Sequence, residues 1–171
     1  GNLLYHVPTG VAFKFSAKPA GLFVYHNTII GEQVARDPSS NVHWRNNLFL
    51  GRDTPGRGVM TWANATEAYS SDYNGFRPNP NAANSFVWNS PPFEVKADYD
   101  YKKKLTARRF KTLAEYSKAT GQETHSVLVD YDIFEHVTMP DESDPQHLYN
   151  PEDYDFRLKA GSAAIDAGTL L

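Results

Sequence analysis

The sequence predicts an all-β chain: a parallel β-helix solenoid with a short α-helix and loops near the C-terminus. Three observations carry that expectation. The phrase VYHNTIIG at residues 24–31 returns as WRNNLFLG at 44–51, with a weaker copy in AYSSDYNGF at 68–76. The copies contain short apolar segments that turn at Asn and Gly. Asn27 matches Asn46 at a step of nineteen, and Asn47 matches Asn74 at a step of twenty-seven. Such a period belongs to units that stack on their neighbours.

Each element follows in order. In GVAFKFSAKPAG, Val11, Phe13 and Phe15 alternate with Ala12, Lys14 and Ser16, the period-two pattern of a strand with one face buried. Pro19 and Gly21 end it. LFVYHNTII is the next strand, EQVARDPSS a polar loop, NVHWRNNLFLG a strand again, and RDTPGRG another loop. VMTW and NSFVWN are two further short strands around the third copy. Residues 10–90 keep no helical periodicity, which excludes an α-solenoid, and they lack the spaced leucines of a leucine-rich repeat. Strands would lie on their equivalents about 4.8 Å away. Asn27 and Asn46 would share one corner, where a stacked Asn bonds to the next unit and tolerates left-handed backbone. A helix is expected over 106–121, with Thr106 as N-cap, Gly121 as C-cap, and Phe110, Leu113 and Tyr116 facing inward over the end of the stack. Residues 125–134 read as extended chain and 139–155 as an acidic loop.

The length of 171 residues suits one domain, with β-helix units over 1–105 and a helix-containing cap over 106–171. A net charge of −3 offers no basic excess for a phosphate backbone, so nucleic acid is not an expected partner. Without cysteine there are no disulfides, thiolate metal sites or Cys nucleophiles. No apolar run approaches the roughly 18 residues of a membrane span. Residues 1–15 do not read as a signal peptide, and the chain is expected to be part of a longer one.

VYHNTIIG, FKTLAEYSKATGQETHS and YDFRLKAGSAAIDAG together resemble the C-terminal part of the right-handed parallel β-helix proteins of the pectate-lyase-like superfamily. The resemblance covers residues 10–169. It implies a right-handed solenoid, a polysaccharide partner and an extracellular or periplasmic location. It does not fix an activity, because members include lyases, hydrolases, epimerases and proteins without known activity. Ala163 stands where the family often has proline.

With Asn27 and Asn46 inward, alternation sends Tyr25 and Trp44 inward and His26 and Arg45 outward. Asp72 falls in the same outward column and His43 in the next. Elimination on a uronate needs a base and a cation beside the carboxylate. His26 or His43 would be the catalytic base, with Arg45 and Asp72 as substrate-binding residues. The structural alternative is an Arg45–Asp72 surface ion pair beside exposed histidines. Hydrolysis would need paired carboxylates, and Asp72 and Glu67 show no diagnostic spacing. The segment DESDP…PEDYD has the oxygen ligands that calcium takes but no ordered spacing, so a solvated loop and no cofactor are expected. Trp62, Trp88 and Tyr73 are either sugar-stacking platforms or covers for the core. The expectation is a monomer that binds or cleaves an acidic polysaccharide. The alternative is a non-catalytic scaffold for glycan binding or adhesion.

Overall fold

A computed structural model describes residues 1–11, 20–64, 69–90 and 105–171. The strands in chain order are β1 (Leu3–Val11), β2 (Ala20–Tyr25), β3 (Thr28–Arg45), β4 (Leu48–Gly51), β5 (Met60–Asn64), β6 (Tyr69–Asp72), β7 (Gly75–Arg77), β8 (Phe86–Ser90) and β9 (Thr106–Phe110). Helix α1 (Leu113–Thr120) follows, then β10 (Val127–Leu128), β11 (Phe134–His136) and β12 (Asp155–Leu158).

The long β3 organises the sheet. Its first residues pair in parallel with β1 and β4, with Thr28 opposite Leu3 on one side and Leu48 on the other. Its middle pairs with β5, and its last residues lie between β2 and β6. β4 continues to β7 and then β10, again in parallel. β5 continues to β8. The sheet then changes direction: β9 runs antiparallel to β8, with Phe86 opposite Phe110 and Ser90 opposite Thr106. A separate antiparallel pair joins β11 and β12.

The result is a curled, mixed half-barrel rather than the expected right-handed parallel β-helix. The physical reason is that side-chain alternation has the same period in either strand direction. The pattern identifies the strands without orienting them.

The helix also begins later than expected. Thr106–Phe110 is β9, not a first helical turn. α1 starts after Thr112, whose hydroxyl accepts from the Glu115 amide while the Glu115 carboxylate accepts from the Thr112 amide. This reciprocal capping box fixes the start, and Gly121, at φ 68°, fixes the end as expected. Leu113 and Tyr116 are buried, and Phe110 packs against the same cluster. Tyr116 meets Phe86, Trp88 and Phe110 at ring separations of 5.9, 6.3 and 5.6 Å. Trp88, expected on a flank, lies wholly inside this core with Trp44, Phe49 and Phe76. A second apolar cluster, around Ile30, Leu50, Ile133 and Phe134, joins β3 and β4 to the C-terminal segments. The two clusters hold the intervening strands, and so the outer surface of β2, β3 and β6, in fixed register.

Candidate functional site

The repeated phrase builds a buried asparagine ladder. The Asn27 side-chain oxygen Oδ1 accepts from the backbone and side-chain nitrogens of Asn2, at 3.0 and 2.9 Å. Asn47 accepts from the same two nitrogens of Asn27, at 3.0 and 2.9 Å. Asn74 accepts from those of Asn47, both at 3.0 Å. The stacked residue is therefore Asn47, not Asn46. Backbone bonds run beside the ladder, from Leu48 to Asn27 and from Gly75 to Asn47. The left-handed residues of the corner are the ones before the ladder: His26, Asn46 and Tyr73, at φ 57°, 56° and 57°.

The one-residue correction moves the candidate site. Tyr25, Arg45 and Asp72 form one row across β2, β3 and β6, and Phe23, His43 and Ser70 form the next. Arg45 and Asp72 do share a row, with His43 adjacent. His26 does not join them; it belongs with Asn46 and Tyr73 at the corner, and Tyr25 takes its place. Trp44 is buried as expected, whereas Tyr25 faces outward beside Arg45.

His43 is held on both ring nitrogens, Nδ1 to the Ser70 hydroxyl at 2.6 Å and Nε2 to the Asn41 side-chain oxygen at 2.9 Å. Asn41 accepts there, so Nε2 carries the proton and Nδ1 accepts from Ser70. Burial, and then the neighbouring Arg45, hold its pKa below the usual histidine value. Phe23 stacks on His43 at 5.5 Å and lies 5.8 Å from Tyr25. It is nonetheless 66% exposed, an aromatic kept at the surface by its place on the outer face. Arg45 donates to the Trp44 carbonyl at 2.8 Å and, among the described residues, makes no ion pair with Asp72 or any other carboxylate.

Asp72 is turned toward a different partner. Its oxygens accept from the amides of Tyr73 and His125, from the Thr124 hydroxyl and from His125 Nδ1 at 2.7 Å. Burial pushes its pKa up, but these hydrogen bonds outweigh it and leave the carboxyl below its usual value. The His125 ring lies parallel to Tyr73, 4.7 Å away and inclined by 5°. No local spacing announces this contact, because Asp72 and His125 are 53 residues apart. One turn earlier, Glu123 ends the asparagine ladder. It is 2% exposed and accepts from Asn74 and Ser126. Burial raises its pKa to about 7 against the lowering effect of those bonds.

The corner residues His26, Asn46 and Tyr73 line a cavity of about 460 Å³. Its far wall is the segment 164–170, tied down by a pair of bonds between the Asn46 side chain and the Thr169 backbone, 2.8 and 2.9 Å. The side chain of Trp62 and the whole of Glu67 lie outside the described residues. Among the described residues no group of three His, Asp or Glu side chains is placed to hold a metal ion, and no helix is long and apolar enough to cross a membrane.

Comparison with protein-family models, curated proteins and solved structures finds no match to this chain. The likeness to pectate-lyase-like proteins therefore rests on the sequence phrases alone.

Proposed function

We propose that the outer face of β2, β3 and β6 binds an acidic polysaccharide, with Phe23, Tyr25 and Arg45 as its contacts. The observation that carries this reading is an exposed Phe23 one row from Arg45 on the same outer face, where Arg45 has no carboxylate partner among the described residues. The aromatic supplies an apolar platform for a sugar ring. The guanidinium fork fits a uronate carboxylate. An extracellular or periplasmic setting goes with that ligand. His43, with both nitrogens engaged, favours binding over proton transfer at its own position, which leaves a binding or adhesion scaffold as the simplest form of this function.

Affinity electrophoresis and calorimetry with pectate, alginate, glycosaminoglycans and a neutral glucan test the reading. Arg45→Ala should weaken acidic ligands about tenfold, in line with about 1.5–3 kcal/mol for a charged hydrogen bond partly offset by solvent exposure. Phe23→Ala should weaken binding irrespective of ligand charge. Added salt should weaken the wild type, since exposed charges are screened over about 8 Å at physiological ionic strength. Affinity unchanged in both variants would rule this face out.

A further inference from the structure

From the aromatic cavity between β1 and the acidic segment 139–155 we infer a second binding site, one that takes a quaternary ammonium cation. It shares no residue with the outer face of β2, β3 and β6 and does not depend on the function proposed for that face.

The cavity measures about 400 Å³, a volume typical of small-ligand sites. Tyr5, Tyr149 and Tyr154 supply its aromatic walls, and His6 and His147 also line it. The three tyrosine rings lie in different planes. Tyr5 meets Tyr149 at 5.0 Å and 89°, Tyr5 meets Tyr154 at 4.9 Å and 47°, and Tyr149 meets Tyr154 at 6.0 Å and 62°. Centroids this close let one cation sit within about 6 Å of more than one of them, the range over which a ring face attracts positive charge. Two of the hydroxyls are tied down. Tyr5 donates to the Thr138 carbonyl at 2.8 Å, and Tyr149 accepts from the Asp141 amide at 3.1 Å. The walls are therefore set before a ligand arrives, which lowers the ordering cost of binding.

Charge selects the ligand. Residues 139–155 hold six Asp or Glu and no Lys or Arg. Arg52 and Arg157 pair with Glu142 and Asp155. Asp141, Asp144, Glu152 and Asp153 have no Lys or Arg partner among the described residues, so the potential around the cavity favours a cation. Yet no Asp or Glu is itself in the lining. A primary amine would bring N–H donors with no carboxylate there to receive them, and burying an unpaired donor is costly. A quaternary ammonium has no N–H to satisfy. Ring faces at contact and carboxylates at a distance are the combination that suits a trimethylammonium group. A neutral sugar would use the rings but gain nothing from the charge.

The test titrates the intact protein at low salt with choline, ethanolamine, glucose and 3,3-dimethylbutan-1-ol, the uncharged carbon isostere of choline, and reads dissociation constants from NMR shift changes. Choline should bind about tenfold more tightly than each of the other three. Tyr149→Leu and Tyr154→Leu should each weaken choline about tenfold, whereas Tyr149→Phe, which keeps the ring, should stay within about twofold of wild type. Circular dichroism checks that each variant is folded, and the comparison of choline with its isostere needs no variant. The absence of choline binding would overturn the site. The isostere or glucose binding as tightly as choline would overturn the role of charge, and ethanolamine doing so would overturn the choice of a quaternary cation. Unchanged choline affinity in both folded leucine variants would remove the site from this cavity.

Discussion

At the scale of single residues, the two adjacent asparagines of WRNNLFLG do different work. Asn47 is fully buried, donates to Asn74 and to the Val24 carbonyl, and accepts two bonds from Asn27. Asn46 adopts the left-handed turn and spends its side chain on Thr169 near the C-terminus. Composition alone does not separate them, and the alignment of Asn27 with Asn46 picks the wrong member of the pair. The burial of Asn47 does separate them. Asn47→Ala strands two buried donors on Asn27 and leaves the Asn74 acceptor short, so it should cost about 2–4 kcal/mol in urea denaturation. Asn46→Ala should cost about 1 kcal/mol or less. Equal losses in the two variants would place the ladder elsewhere.

At the scale of elements, most short strands before residue 90 and their parallel pairing were legible, whereas EQVARDPSS, expected as a loop, is the middle of β3, and the antiparallel β9 was not foreseen. The apolar segments 22–25, 28–30, 42–45, 48–50 and 86–90 all form strands, and the shared corner recurs because the ladder recurs. The helix was legible at its end, where Gly121 adopts the left-handed cap. At its start, Thr106 looked like a cap because it stands ahead of apolar residues at helical spacing. The stronger signal lay six residues on, where Thr112 and Glu115 have capping-box spacing. Once Phe110 belongs to β9 and Tyr116 to α1, their edge-on contact joins the antiparallel strand to the helix. Tyr116→Ala should therefore do more than unfold one turn. Removing a wholly buried aromatic costs about 3–5 kcal/mol, and here it opens the face of β8 at Phe86 and Trp88. The urea midpoint should fall accordingly, with quenching of Trp88 fluorescence by added iodide rising in the folded baseline. Thr112→Ala, which loses only the cap, should cost about 1 kcal/mol and leave quenching unaltered.

At the scale of the molecule, the ladder links the first strand to the turn beyond the helix. Donors point the same way throughout, from Asn2 through Asn27, Asn47 and Asn74, and the last acceptor is the Glu123 carboxyl. The sequence could not show this terminus, because Glu123 lies 49 residues from Asn74 in a segment that reads as a plain turn. The same distance hid the Asp72–His125 contact, whereas Arg45 and Asp72 were paired correctly because the repeat carried them. The terminus makes stability depend on pH in a defined direction. Glu123 releases its proton near 4.5 when unfolded and near about 7 when buried in the fold. Below 4.5 both states are protonated, and the full stability of the neutral, buried group is present. Between 4.5 and 7 the unfolded chain loses its proton first, so stability falls as pH rises, and above 7 the loss is complete. At 1.36 kcal/mol per pKa unit, the loss is on the order of 3 kcal/mol. Glu123→Gln keeps an acceptor for Asn74 but has no proton to lose. Urea denaturation at intervals from pH 4.5 to 8 should show wild-type stability declining across this window relative to Glu123→Gln, with the two curves parallel above pH 8. A constant difference between them at every pH would mean that Glu123 is not the titrating end of the ladder.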